Sequence, residues 1–149
     1  MSCEQVLRQR ADLELSTRAT AHKVDLEPVP SAAGVARSFV RETFAAVDED
    51  SQDVALLLTS ELVTNAILHA RTAVQLAVLL DDDKALICVA DRLADGPVLS
   101  PLAKSEDAFG GRGLALVADL AEAWGTTAYT GGKTVWFLLR TSLDAEIGQ

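Results

Sequence analysis

The chain has 149 residues, about one domain, of which 49% are hydrophobic and 23% charged. That much apolar material excludes a disordered or low-complexity chain, because one core can offset the entropy of ordering. Lys and Arg number 13 against 22 Asp and Glu, a net charge of −9 with no dense basic block. Such a surface is a poor match for a phosphate backbone and excludes nucleic acid as an expected partner.

Residues 1–20 mix Glu, Arg and Asp throughout. They lack the apolar core of ~7–15 residues that a secretory signal needs, so they read as an N-terminal extension of a cytoplasmic protein. The longest apolar run, Ala85–Ala90, has six residues, far below the ~20 needed to cross a bilayer. No membrane span is expected. Cys3 and Cys88 read as two free thiols of a reducing compartment, Cys88 as a small core residue. With only His22 and His69 beside them, a Cys/His zinc cluster has little support.

Ala21–Leu26 alternates loosely, as an edge strand does, and the Pro28 and Pro30 that follow cannot donate to a ladder. Ser31 is placed to cap a helix running to about Val47, with Val35, Phe39, Val40 and Phe44 at helical spacing. Asp50 or Ser51 opens a second helix to Ala70, carrying Val54, Leu57, Leu58, Leu62, Ala66 and Ile67. Thr72–Leu80 and Lys84–Asp91 form a hairpin around Asp81–Asp83. Arg92–Gly111 is a loop long enough to suggest a lid or a disordered segment. A helix over Gly113–Glu122 follows, then a hairpin of Trp124–Tyr129 and Lys133–Arg140. Strands that do not alternate with helices disfavour a doubly wound sheet. The fold expected is α/β: a two-layer sandwich, its sheet mixed but mostly antiparallel, with helices on one face.

Four places along this order can carry chemistry, and each also has a plain structural reading. Glu61, Asn65 and His69 form one polar stripe on a helix. A carboxylate and an amide one turn apart suit Mg²⁺ and the orientation of a hydroxyl, yet the spacing equally fits a solvated face. Asp91 ends the buried strand, either to accept from an exocyclic amine or simply to start a turn. Gly110, Gly111, Arg112 and Gly113 open a helix, where backbone N–H groups can meet a phosphate or merely form a flexible junction. Lastly, Thr134 opens the final strand, within reach of a ligand base or as an ordinary β-branched residue.

Taken in order, the Glu61-to-Asn65 helix motif, Asp91, GGRGL and GKT resemble the Bergerat-fold (GHKL) ATPases. Within that superfamily SELVTNAILHA, GGRGLALV and GGKTVWFLL are most similar to the bacterial anti-sigma factor serine kinases of the RsbW/SpoIIAB type. The resemblance covers residues 21–140, which would be the ATPase domain, and leaves 141–149 as a tail. It implies Glu61 as general base, Asn65 as ligand to Mg²⁺, and Asp91 as acceptor for the adenine amine with Thr134 assisting. Gly111, Arg112, Gly113 and Leu114 would frame the phosphates of ATP beneath a lid. One departure stands out: where the family pattern continues D-x-G-x-G, this chain has Leu93 at the first glycine, and Gly96 would have to substitute.

The function implied is a Mg·ATP-dependent serine/threonine kinase. It would phosphorylate a STAS-domain antagonist and sequester a sigma factor, as a homodimer if it follows its relatives. The altered stretch after Asp91 supports an alternative, a partner-binding regulator that binds ATP without turnover or binds no nucleotide.

Overall fold

The computed structural model describes residues 15–16, 18–93, 119–129 and 131–142. Its elements are β1 (Thr20–Leu26), α1 (Ala32–Thr43), α2 (Glu49–Ala70), β2 (Val74–Leu80), β3 (Lys84–Asp91), β4 (Ala123–Tyr129) and β5 (Gly132–Arg140). The strands form one sheet in the order β1-β2-β3-β5-β4. All four pairings are antiparallel, so the described sheet is the pure form of the mostly antiparallel one expected. Of the helix expected over Gly113–Glu122, Asp119 and Leu120 are described and helical.

Both faces of the sheet are apolar, and strand alternation separates them. Val74, Leu76, Val78, Ala85, Ile87, Val89, Phe137 and Leu139 meet the helices in the larger core. Ala77, Leu79, Leu86, Cys88, Ala90, Trp136 and Leu138 form a second core on the opposite face, against which Leu15, Ala21 and Ala123 pack. Trp136 is seated by its register partner Gly125, where even a Cβ would stand 2.7 Å from the indole ring. Cys88 lies on this second face and is disulfide-bonded, which corrects the expectation of two free thiols. Leu15 packs on the same face, and the chain's other cysteine, Cys3, lies outside the described residues.

Val40, Phe44, Leu58 and Leu62 are buried as expected, Phe39, Val54, Ala66 and Ile67 pack partly buried against the same core, and two expected positions turn outward. In α1 the core takes Ala32, Ala36, Val40 and Phe44, while Val35 is 49% exposed. That helix stops at Thr43, because the next turn returns Val47 to the core. Ser31 precedes it without a capping side-chain bond. In α2 the buried set includes Ala55, Leu58, Leu62 and Val63, and Leu57 is exposed. An Arg37 guanidinium N–H donates to Ser60 Oγ at 2.9 Å and ties the two helices together.

Asp48, rather than Asp50 or Ser51, caps α2. Its Oδ2 accepts from the Ser51 N–H at 3.0 Å and its Oδ1 from the Ser142 N–H at 2.9 Å. Its own N–H donates to the Ser142 carbonyl, also at 2.9 Å. One aspartate thus joins the start of α2 to the end of β5. Burial pushes the Asp48 carboxyl up, but the bonds from Ser142 and Ser51 together outweigh it and hold its pKa below the usual value of 3.8. A carboxyl lowered by folding stabilises the fold above that value, and the contribution fades as pH falls through the native pKa. Asp48→Ala should therefore cost about 1–2 kcal/mol in urea unfolding at neutral pH. The difference between wild type and Asp48→Asn should narrow below about pH 4.

Candidate functional site

Strand β3 is buried along its whole length, so whatever residue ends it on the helix side enters a dry place. Alternation puts Asp91 on the face of Ala85, Ile87 and Val89, beneath α2. Its register partner on β5 is Lys133. The Lys133 ammonium stands 3.2 Å from Asp91 Oδ2, with the two side chains only 8% and 4% exposed. Asp91 Oδ1 accepts from the Leu93 N–H at 3.0 Å, closing an Asx turn. The next residue is anchored as well: the Arg92 N–H donates to Thr72 Oγ1 at 3.1 Å.

Helix α2 supplies the opposite wall. Leu62, Asn65, Ala66 and His69 line a cavity with Val89, Asp91, Lys133 and Val135. Asn65 is buried, and its Nδ2 has no hydrogen-bond partner among the described residues. A buried donor left unsatisfied costs about 1–3 kcal/mol and marks a place where a ligand or water atom belongs. The cavity therefore combines four apolar side chains with a carboxylate, an ammonium and an amide. Its volume is about 30 Å³, well under the ~300–1,000 Å³ of an ordinary ligand pocket. A planar ring would have to widen it.

Of the residues singled out in the sequence, Asn65 and Asp91 come together here, joined by His69 of the same helical stripe. Glu61 lies one turn before Asn65 on α2, half-buried, outside the described cavity lining. Thr134 does not join them. It pairs with Ala90, whose side chain belongs to the second core, so it faces away from Asp91. Thr134 is fully buried there, its Oγ1 without a partner among the described residues. A role for Thr134 beside the base is corrected by strand parity. Gly96, Gly111, Arg112, Gly113 and Leu114 lie outside the described residues. Lys133 is the functional residue that sequence reasoning missed. Its one signal is an even spacing from Val135 and Phe137, which puts a lysine on the core face of a strand.

Comparison with known proteins shows the family of the chain. Residues 23–139 match the family model of the histidine kinase-like ATPase domain, and the chain belongs to that family. Among solved structures it resembles the RsbU and RsbW domains of Rv1364c from Mycobacterium tuberculosis. The two share 22% identity and a TM-score of 0.65 over 84% of this chain. The match takes in 33% of that structure's chain, so this protein corresponds to about a third of it. No curated protein matches the sequence. Membership of an ATPase family makes ATP the implied ligand; the cavity offers apolar walls and a buried carboxylate, and it would have to open from its present volume to admit a base. Among the described residues no cluster of three or more His, Cys, Asp or Glu could hold a metal. No described helix is long and apolar enough to cross a membrane.

Removing one member of a buried ion pair strands the other charge, whereas removing both charges does not. Lys133→Met should cost about 3 kcal/mol in urea unfolding. Adding Asp91→Asn to it should restore the greater part, since an amide still accepts from Leu93. Additive losses in this cycle would mean that the two charges do not stabilise each other.

Proposed function

We propose that the chain is an ATP-dependent regulatory kinase of the anti-sigma-factor type. The observation that supports this is the convergence of a buried carboxylate, Asp91, and an unsatisfied buried amide, Asn65, on one apolar-walled cavity beneath α2. In this reading Asp91 accepts a hydrogen bond from the adenine amine, and the walls formed by Leu62, Ala66, Val89 and Val135 hold the ring. Asn65 would hold Mg²⁺ through its amide oxygen, and the ion would offset the negative charge of the phosphates. Gly111, Arg112, Gly113 and Leu114 frame the phosphates at a helix start, where free N–H groups favour negative charge. Gly96 supplies the backbone freedom that Leu93 lacks. Glu61 takes the proton of an attacking serine or threonine hydroxyl as the γ-phosphoryl transfers. The hydroxyl belongs to a STAS-domain antagonist, and a sigma factor is the protein held when that antagonist is absent or phosphorylated. The chain works in the cytoplasm, as a homodimer.

A second reading is favoured by two features of the same cavity: its small volume and the Lys133 ammonium already seated on Asp91. There the chain regulates by holding a partner, with nucleotide bound but not turned over, or with none.

Glu61→Ala separates the two. Under the kinase reading it removes phosphoryl transfer from labelled ATP to a co-purifying STAS-domain protein by about 10²–10⁴-fold while ADP still binds. An equal fall in ADP affinity would show that Glu61 binds nucleotide rather than acting as a base. No transfer by the wild type would support the partner-holding reading.

A further inference from the structure

An ammonium has three hydrogen-bond donors, and Lys133 has only Asp91 as a described partner, at 3.2 Å. The rest of the head group lies, buried, in the wall of the cavity that the unsatisfied Asn65 amide also lines. Asp91 and Lys133 are register partners on adjacent strands, so the wall presents an acceptor and a donor side by side at one level of the sheet. The Watson–Crick edge of adenine has the opposite pair, with the exocyclic amine as donor and the neighbouring ring nitrogen N1 as acceptor. Bases lifted into a protein pocket are read along this edge.

We propose that Lys133 is a specificity-determining residue of the nucleotide site: it donates to adenine N1 while Asp91 accepts from the adjacent amine. The inference rests on the base-site reading above. It assigns to Lys133 the place beside the base that strand parity denies to Thr134. The flexible four-carbon stem lets the ammonium move aside as the ring enters, widening a cavity of about 30 Å³ without shifting either strand. The ammonium keeps one donor on Asp91 and turns another to N1. The carboxylate is then never left buried without a partner, in the free or the bound state.

The test compares ADP with 1-deaza-ADP, in which a C–H replaces N1 and the amine is kept, by calorimetry on the full chain. A hydrogen bond from a charged donor predicts that the analogue binds about 10- to 100-fold more weakly to the wild type. Lys133→Met should weaken ADP binding to the level of the analogue and bind the two ligands equally. Equal binding of both ligands by the wild type would overturn the proposal and leave Lys133 as a structural partner of Asp91. Tighter ADP binding by Lys133→Met would also overturn it, showing that the ammonium only obstructs the pocket. The wild-type comparison needs no variant, so it decides even if Lys133→Met fails to fold. If the wild type binds no ADP at all, the base-site reading itself falls; loss of N1 dependence alone sinks only the role of Lys133.

Discussion

A carboxylate held away from water at the end of a buried strand is the constraint on which the site depends. Burying Asp91 alone would cost several kcal/mol, and the Lys133 ammonium and the Leu93 N–H are among the partners that avoid this. Both come from backbone geometry that the sheet fixes: Lys133 through its register on β5, and Leu93 through the Asx turn that ends β3. The turn that aims Asp91 into the cavity is thus made by the residue that stands in place of the family's glycine. Leu93 departs from the pattern in side chain, yet its N–H orients the aspartate.

The two-faced sheet explains how such a site is built from few residues. The helix-side face, closed by α1 and α2, carries Val89, Asp91, Lys133 and Val135, and α2 completes the cavity with Leu62, Asn65, Ala66 and His69. The opposite face buries Cys88, Trp136 and Thr134 without contributing to it. At the far end of the sheet Asp48 anchors α2 to the chain that leaves β5. Arg140 reaches Asp83 and Glu122 at 3.1 and 2.8 Å. Helix α2 is therefore fixed at the end remote from Asn65, which sets the position at which its polar stripe crosses the sheet.

Much of this was legible in the sequence because local patterns carried it. The two long helices, the Asp81–Asp83 hairpin and the turn before β5, with Gly131 at a φ of +99°, follow from spacing and turn chemistry. Asn65 and Asp91 were identifiable because a polar residue on an apolar helix face and an aspartate ending an apolar run are both conspicuous. The face on which each strand residue lies was not legible. Both faces of β3 and β5 are apolar, so alternation, which assigns faces only when one side is polar, could not say which of the two cores Lys133 and Thr134 each enter. The exposure of Val35 and Leu57 and the choice of Asp48 as cap depend on which helix side meets the sheet, a tertiary outcome.

In the function proposed, the Asp91 cavity receives the base of a nucleotide. The most direct measurement is calorimetric titration of the wild type and Asp91→Asn with ADP, since the amide keeps the turn to Leu93 but loses the charge. Binding to the wild type should be saturable and weakened by at least about tenfold in the variant, as loss of a hydrogen bond to a charged acceptor requires. Equal affinity in both proteins would place the nucleotide elsewhere, and the absence of binding to the wild type would contradict a nucleotide site altogether.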